Sequence, residues 1–264
     1  MGAMTAVSEV RRVDLELVAR HLAPSRQHAQ ALVSAGLVEV DGVRAISADQ
    51  RVGDATAIRV LGRDHPWASR GGLKLAPALD AFGVSCEGRI CLDSGASTGG
   101  FTDVLLSRGA SLVYAVDVGR GQLDRRLAVD PRVRVMDRTN LRTLDSLPGP
   151  APDLVTLDLS FISLRLVIPA VARLVAAEGS DLVALFKPQF ELGREAVGKG
   201  GIVRDAAAAE TAAADFAAWL ESTFGAVTQA PMASPVRGAK GNLEWLVAAR
   251  LARVASTESA RGTA

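Results

Sequence analysis

Between residues 89 and 186, short apolar runs of strand length alternate with segments of helical periodicity. The strand-like runs lie at 89–93, 112–117, 133–136, 153–158 and 181–186. Strands that are apolar along their whole length are typical of a parallel sheet whose two faces are covered by helices. The pattern therefore predicts an α/β, Rossmann-like fold with a mostly parallel sheet.

The sequence after this alternation predicts how the sheet ends. An alanine-rich segment at 205–224 has the composition of a helix, and extended runs follow at 226–232 and 242–251. We expect these two runs to pair antiparallel at the edge of the sheet.

The first sixty residues have a different pattern, which predicts a small α+β domain. Helical periodicity covers 13–22 and 25–36, and Ser25 is a suitable N-cap for the second helix. An Asp-Gly pair at 41–42 separates two short extended runs, which indicates a β-hairpin, and a further strand is expected at 56–61. We expect the small domain at 10–62, a linker at 63–69, the α/β domain at 70–252 and a disordered tail at 253–264.

Composition limits the partners and the location of the chain. The formal net charge is +1, so a polyanion would have to bind local basic patches rather than the overall field. The two cysteines are typical of reduced cytoplasmic thiols, and the three histidines lack metal-ligand spacing. No apolar stretch reaches the roughly 18 residues of a spanning helix. We therefore expect a cytoplasmic monomer without a metal or a membrane partner.

A glycine-rich segment at 91–101, CLDSGASTGGF, follows a predicted strand and opens a helix. Small residues let the backbone approach a ligand closely, and the helix start offers unpaired N–H groups. The glycine spacing differs from the dinucleotide pattern GxGxxG, and Asp93 would repel a pyrophosphate but suits the cationic sulfonium and amino groups of S-adenosylmethionine. The residues expected to bind this cofactor here are Asp93, Gly95, Ala96, Ser97, Thr98 and Gly99.

Acidic residues also follow the next two strand-like runs. Asp117 lies where a carboxylate would reach ribose hydroxyls, and Asp137 lies within reach of an adenine edge. Each acid alone could be a solvated turn or a helix cap. Three acids at successive strand ends, after a glycine-rich loop, favour ligand binding.

Four further segments carry a resemblance to a known family. Lys74 lies in SRGGLKL, Asp158 in TLDLSF, Lys187 in LFKPQFE and Glu244 in GNLEW. With the glycine-rich loop, these segments resemble the FtsJ-like RNA 2′-O-methyltransferases, and most closely the TlyA group, which acts on ribosomal RNA and is often labelled haemolysin. The resemblance covers nearly the whole chain, because the N-terminal domain is similar to an S4 RNA-binding domain.

The resemblance implies a class I methyltransferase that uses S-adenosylmethionine and a Lys-Asp-Lys-Glu catalytic tetrad. On these positions the tetrad is Lys74, Asp158, Lys187 and Glu244, and Asp158 also contacts the cofactor. Asp158 would hold Lys187, which acts either as a general base or as a hydrogen-bonding group that orients the 2′-oxygen. The implied substrates are cytidine riboses of 16S or 23S RNA, or both, within ribosomal subunits.

Arginines of the small domain are the expected phosphate contacts, because guanidinium groups bind phosphate bidentately. They are Arg12, Arg20, Arg26 and Arg44. Pro24 stands where the family often has another basic residue. The linker around Trp67 is expected to couple RNA docking to cofactor binding, and the glycine-rich segment 190–202 would either close over the substrate or be disordered.

Two other functions stay open at this point. A nonenzymatic RNA-binding or assembly factor could retain the same fold, although the intact tetrad argues against it. A membrane-active haemolysin is suggested only by the family label, and the sequence offers no leader, spanning helix or amphipathic membrane face for it.

Overall fold

The computed structural model describes residues 10–23, 25–34, 36–62, 65–193, 195–238 and 240–254. Two compact units divide between Pro66 and Trp67. Several predictions lie outside the described residues: those for Pro24, for Arg194 in the glycine-rich segment, for linker residues 63–64 and for the tail from 255 onward.

The small unit combines two helices with short antiparallel strands. Its elements are β1 (Arg11–Arg12), α1 (Val13–Ala19), α2 (Arg26–Ser34), β2 (Val38–Val40), β3 (Val43–Arg44), β4 (Arg51–Val52) and β5 (Ile58–Val60). Strand β2 pairs with β3 and β5, and β1 pairs with β4. Buried apolar residues of both helices and of β2 and β4 form its core.

Local signals in the small unit produce the predicted structure. The Ser25 hydroxyl accepts a hydrogen bond from the His28 amide at 3.2 Å, which confirms the N-cap. Asp41 and Gly42 have φ values of 51° and 81°, the left-handed pair that a two-residue hairpin requires, so the hairpin is also confirmed. The β1–β4 pair was not predicted, because two residues are too short to show a period.

The large unit alternates strands and helices along the chain. Its elements are α3 (Gly72–Ala81), β6 (Ile90–Ser94), α4 (Gly100–Ser107), β7 (Leu112–Val116), α5 (Arg125–Ala128), β8 (Val133–Met136), β9 (Leu154–Leu157), α6 (Ile168–Leu174), β10 (Ser180–Phe186), α7 (Pro188–Glu191), α8 (Ala206–Phe224), β11 (Val227–Thr228), β12 (Met232–Ala233) and β13 (Trp245–Leu251). Each predicted strand of this unit is found within a few residues of its expected bounds.

The strands of this unit form one sheet in the order β11-β13-β10-β9-β6-β7-β8, with β12 also paired to β13. The strands from β10 to β8 are parallel, and β13 is antiparallel to β10, β11 and β12. The antiparallel edge is therefore confirmed. Its first run is split into β11 and β12, and Pro231, just before β12, has no N–H to donate to a ladder.

Helices cover both faces of the sheet. On one face, α6 and α8 pack against strand residues that include Leu92 and Val155. On the other face, α3, α4 and α5 pack against strand residues that include Cys91 and Val113. Successive strand residues thus point into opposite cores, as in a sheet buried on both sides. The fold class predicted from the sequence is confirmed.

The strand order places a crevice in the middle of the sheet. From β6 the chain first builds β7 and β8 on one side, and then returns to build β9 and β10 on the other. The loops that leave β6 and β9 therefore diverge, and ligands of open α/β sheets bind at such a point, outside the carboxyl ends of the strands. Among the described residues, no helix combines the length and apolar character needed to cross a bilayer.

Candidate active site

The loop after β6 closes tightly against the end of β9. Gly95 has φ 81°, and a Cβ at this position would overlap the backbone carbonyl of Asp158. A side chain at position 95 is therefore excluded by both backbone conformation and space. Gly95 also lines three cavities, where a ligand can touch its backbone.

Asp117 fixes the shape of the glycine-rich loop from the neighbouring strand. One of its carboxylate oxygens accepts the Ser97 amide at 2.8 Å, and the other accepts the Gly119 amide at 2.7 Å. Ser97 itself has a positive φ of 47°. Each carboxylate oxygen keeps a further lone pair, so Asp117 can both hold the loop and accept hydroxyl donors from a ligand.

Three cavities meet at this loop, and Gly95, Ser97 and Asp158 line all three. The α3 cavity is further lined by Ser69, Arg70, Gly71, Lys74, Ala96, Gly100, Phe101 and Arg237. The lysine cavity is further lined by Lys74, Ser160, Phe161, Lys187, Gln189, Phe190, Gly201, Lys240, Asn242 and Glu244. The β7 cavity is further lined by residues that include Asp117, Val118, Gln122, Thr139, Asn140, Leu141, Leu159 and Phe161.

Lys187 and Asp158 form one ion pair at the wall of the lysine cavity. Lys187 Nζ lies 2.6 Å from Asp158 Oδ1 and donates to Ser160 Oγ at 3.0 Å. Lys187 follows β10 and Asp158 follows β9, and these strands are parallel neighbours, so their ends meet at the same edge. The pairing predicted for these two residues is present in the structure.

Lys74 and Glu244 form a second ion pair across the same cavity, with 2.6 Å between Lys74 Nζ and Glu244 Oε2. Lys74 comes from α3 and Glu244 precedes β13. Only 3% of the Glu244 side chain is exposed, so its carboxylate faces Lys74 and not the solvent. The structure therefore brings together the four residues of the predicted tetrad, as two cations and two anions that cancel in charge.

The Asp93 carboxylate lines none of the three cavities, so its contact with the cofactor stays a prediction. It is fully buried beneath the loop, where it accepts hydrogen bonds from Thr102 Oγ1 at 2.6 Å and Thr156 Oγ1 at 3.1 Å. Burial raises the pKa of Asp93 to about 7, although the two hydroxyl donors oppose this shift. Asp93 thus ties β6 to α4 and β9, because its side chain points inward from the strand end.

The other predicted cofactor residues divide by whether they face a cavity. Ala96 lines the α3 cavity, and Gly95, Ser97, Asp117 and Asp158 line cavities as described above. Thr98, Gly99 and Asp137 line none of the three cavities. Gly99 instead lies against Leu127, where a Cβ would not fit, and Asp137 accepts the Gly121 amide at 2.8 Å.

Several residues that line the cavities were not predicted from the sequence. Phe161 has an 87% exposed side chain and a positive φ of 64°, and its ring centroid lies 5.1 Å from that of Phe190. Arg237 and Lys240 border two of the cavities. The available signal for Phe161 was its place in the segment that carries Asp158, but its outward orientation is a tertiary property.

Two of the predicted RNA-binding arginines converge on one buried carboxylate in the small unit. Arg12 and Arg26 each donate to Asp14, at 3.1 and 3.0 Å. Burial opposes ionisation of Asp14, but hydrogen bonds from Arg12, Gln30 and Arg26 outweigh it and hold its pKa well below the ordinary value. Arg12 and Arg26 remain partly exposed beside each other, with further N–H groups to offer.

Arg20 and Arg44 differ from this pair. The Arg20 guanidinium donates to Glu16 and to the backbone carbonyls of Gly53, Asp54 and Thr56. Four of its five N–H groups are thus used within the unit, which leaves one for a phosphate, and the role of Arg20 as a phosphate contact stays a prediction. Arg44 is exposed on β3.

The glycine-rich segment after Lys187 has defined contacts at its far end. Gly198 and Ile202 form an isolated antiparallel bridge. The buried Asn242 side chain accepts the Val203 amide at 2.9 Å and donates to the Gly201 carbonyl at 2.8 Å. These bonds hold Gly201 and Val203 beside the lysine cavity, and the covering role of the segment stays a prediction.

Comparisons with known proteins match both units. The model of the FtsJ-like methyltransferase family matches residues 67–251, and that of the S4 domain matches residues 11–56. A 16S/23S rRNA (cytidine-2′-O)-methyltransferase, TlyA of Mycobacterium tuberculosis strain H37Rv, is 47% identical and is aligned over 89% of this chain and 88% of its own. Hemolysin A of Brachyspira hyodysenteriae is 40% identical, and the alignment covers 84% of this chain and 92% of that protein.

A solved structure supports the same relationship. A protein from Streptococcus thermophilus that carries a hemolysin label superposes with a TM-score of 0.73 at 40% sequence identity. The superposition covers 94% of this chain and 90% of that chain, so it includes both units.

Proposed function

The chain belongs to the FtsJ-like methyltransferase family, and from this premise we propose that it methylates the 2′-oxygen of cytidine riboses in ribosomal RNA, with S-adenosylmethionine as the methyl donor. The substrate follows from the TlyA relative, which is named as a methyltransferase of cytidine 2′-oxygens in 16S and 23S rRNA. We assign residues 10–62 to RNA docking and residues 70–252 to methyl transfer, joined by a linker at 63–69.

The observation that carries this proposal is the meeting of three cavities at Gly95, Ser97 and Asp158. A sulfonium has three substituents, and in this cofactor they are an adenosyl group, an amino acid chain and the methyl group to be transferred. The junction offers a separate space for each of them. The lysine cavity, which holds both ion pairs, is then the place of the target ribose.

The residues present fit this cofactor. In the β7 cavity, Asp117 offers carboxylate oxygens to ribose hydroxyls, and Val118 and Leu159 offer apolar surface to an adenine ring. In the α3 cavity, Arg70 offers a guanidinium to a carboxylate. The absence of a side chain at Gly95 lets the loop lie directly against the end of β9, which keeps the junction open above it.

Lys187 is the residue that positions the target hydroxyl. Two of its three N–H groups are used by Asp158 and Ser160, so one remains to donate to the 2′-oxygen. When bound, the cofactor would supply an electrophilic methyl group whose bond to sulfur breaks as the bond to the 2′-oxygen forms, and the hydroxyl proton would pass to solvent. Alignment of reacting atoms can lower the activation barrier by about 7–11 kcal/mol. Base catalysis usually supplies roughly 10²- to 10⁴-fold in rate, which corresponds to only about 3–5 kcal/mol. We therefore assign Lys187 an orienting role.

Phe161 and Phe190 offer the target base a stacking surface at the mouth of the lysine cavity. A base must leave its helix before its ribose can enter such a site, and stacking on an aromatic ring contributes about 1–3 kcal/mol per base. The 87% exposure of Phe161 costs hydrophobic burial in the free protein. Contact with a base would recover that burial.

Docking onto folded ribosomal RNA is the role of the small unit. Arg12, Arg20, Arg26 and Arg44 remain the proposed phosphate contacts, in a mode that reads shape and backbone more than sequence. Both ion pairs of the catalytic site come from one chain, so a monomer contains all of the proposed machinery. We place the reaction in the cytoplasm, on ribosomal subunits.

Replacing Lys187 by alanine tests the proposal. We expect Lys187→Ala to abolish detectable methyl transfer from radiolabelled cofactor to ribosomal subunits, a loss of at least about 10²-fold because the 2′-oxygen is no longer held in line, while the dissociation constant of the cofactor stays near the wild-type value. Lys199→Ala, which removes an exposed lysine of the adjacent glycine-rich segment, is the control and should retain full activity. Retained turnover in Lys187→Ala would refute the assignment, and a wild-type protein that binds ribosomal RNA without methylating it would instead indicate a nonenzymatic binding factor.

A further inference from the structure

The loop between β12 and β13 is held in a fixed position relative to the catalytic Glu244. The Gly238 amide donates to the Asn242 carbonyl at 3.0 Å, and the Ser234 amide donates to the Glu244 carbonyl at 2.8 Å. The buried Asn242 side chain also fastens the loop to the segment around Gly201. Side chains on this loop therefore keep a defined place at the rim of the site.

Two basic residues of this loop border the site on adjacent sides. Arg237 lines the α3 cavity, and its guanidinium donates to the Gly241 carbonyl at 2.9 Å, which leaves four of its N–H groups available. Lys240 lines the lysine cavity, next to the catalytic Lys74 and Lys187. Both side chains are exposed.

The positive charges of Arg237 and Lys240 at the edge of the two cavities are not neutralised by carboxylates of the site. The two lysines of the tetrad are each neutralised by a carboxylate. In the part of the chain that the structure describes, neither Arg237 nor Lys240 forms an ion pair with a carboxylate. The chain as a whole carries a net charge of only +1, so this local positive charge is a property of the loop and not of the overall composition.

We propose that Arg237 and Lys240 form a phosphodiester-binding site, which holds the phosphates on either side of the target ribose. The inference rests on the proposed function, because a ribose that presents its 2′-oxygen to Lys187 carries a phosphate on each side, and the lysine and α3 cavities adjoin at Lys74, Gly95, Ser97 and Asp158, with Lys240 on the one and Arg237 on the other. Contacts to phosphate fix the register of the nucleic acid and carry no sequence information. The two residues are therefore positioning residues for the substrate, and they have no part in the transfer itself.

The test is the double variant Arg237→Ala/Lys240→Ala in the full chain, assayed by methylation of ribosomal subunits at several salt concentrations. We expect KM for the subunits to rise about tenfold or more, and the salt dependence of binding to flatten by about 1.4, because each phosphate contact to a single strand contributes roughly 0.7 to the slope. The kcat at saturating RNA and the dissociation constant of the cofactor should not change.

Two further variants control for charge and for folding. Arg125→Ala/Arg134→Ala removes the same charge from exposed positions of the same unit that line none of the three cavities, and it should keep the wild-type KM and salt slope. The exchange Arg237→Lys/Lys240→Arg retains both charges and should restore most of the lost affinity. A merely structural role of the loop would not produce this restoration together with an altered salt slope.

The outcomes separate this site from the proposed function. A double alanine variant with wild-type KM and salt slope would overturn the phosphate site while leaving methylation by the wild type intact. Weakened cofactor binding in the double variant would overturn it as well, because Arg237 would then belong to the cofactor. A wild-type protein without activity on ribosomal RNA would remove the proposed function, and this site with it.

Discussion

At the scale of single residues, the catalytic site depends on pairing each lysine with its own carboxylate. Lys74 and Glu244 are far apart in the chain, yet their charged atoms lie 2.6 Å apart with 12% and 3% of their side chains exposed. Removing one partner of a buried pair leaves the other charge buried without a counterion, which destabilises the protein. Replacing both residues by uncharged ones of similar volume often changes the stability little. Stability and catalysis can therefore be separated at this pair.

Lys74→Met should destabilise the protein by about 3–5 kcal/mol, because it leaves the buried Glu244 carboxylate without its cation. Adding Glu244→Gln removes the stranded charge and should recover most of this loss. Both variants should be inactive in methyl transfer. Urea denaturation gives the free energy of unfolding, and a double variant as unstable as Lys74→Met alone would contradict this account.

The buried Asp93 predicts an unusual pH dependence of stability. Its pKa is raised from the ordinary 3.8 to about 7 by burial, so the folded state binds more protons than the unfolded state between these values. The free energy of unfolding should therefore fall as pH rises through this window, by at most about 1.4 kcal/mol per pH unit from this group. Asp93→Asn should lose this part of the pH dependence. Denaturation at pH 5 and pH 7.5 measures the free energy of unfolding of both proteins. An equal change between the two pH values in variant and wild type would contradict the raised pKa of Asp93.

At the scale of elements, the site is assembled from the loops that follow parallel strands and is fastened by a few side chains. Asn242 is the main fastening on one side, since it satisfies both the Val203 amide and the Gly201 carbonyl while only 3% exposed. Its two bonds hold the glycine-rich segment against the loop that leads into β13. The position of Gly201 and Val203 beside the lysine cavity thus depends on one amide group.

Asn242→Ala should free this segment and cost about 1–3 kcal/mol of stability, because buried backbone groups lose their partners. We expect faster hydrogen exchange at Val203 and a higher KM for ribosomal subunits. The affinity for the cofactor, measured on the same variant, serves as the internal control and should be unchanged. Wild-type exchange at Val203 would show that Asn242 does not fasten the segment.

At the scale of the whole molecule, each of the two units has a core of its own. The small unit is built around residues such as Val13, Leu17 and Leu32, and the large unit around two separate clusters on the faces of its sheet. Small domains bury a smaller fraction of their surface and are less stable for that reason. We therefore expect the small unit to be the less stable of the two.

Leu17→Ala should destabilise the small unit by about 2–5 kcal/mol, because Leu17 is fully buried and the cavity left behind adds to the lost burial. Methylation of ribosomal subunits should fall, while cofactor affinity stays at the wild-type value. Leu15→Ala is the matched control, since Leu15 lies on the same helix with 42% exposure. Equal effects of the two substitutions on thermal unfolding would contradict the assignment of Leu17 to the core.

The sequence by itself determined the fold class, most strand positions, the hairpin at Asp41 and the cap at Ser25, because each of these depends on the period or the conformational preference of a few adjacent residues. It also predicted Lys74, Asp158, Lys187 and Glu244 as a tetrad, through short segments that resemble a family, and the structure brings these four residues to one cavity. The physical reason is that backbone preferences act locally, and the residue types of a reaction are retained with the chemistry.

Only the tertiary structure decided where side chains at the ends of elements point. Asp93 points inward and accepts hydrogen bonds from Thr102 and Thr156. The Arg20 guanidinium donates to backbone carbonyls. Phe161 faces outward. The junction of three cavities likewise joins loops from distant parts of the chain. A strand-end or loop side chain takes its direction from neighbours that the order of the residues does not reveal, because those neighbours are set by which strands pair and how the layers pack.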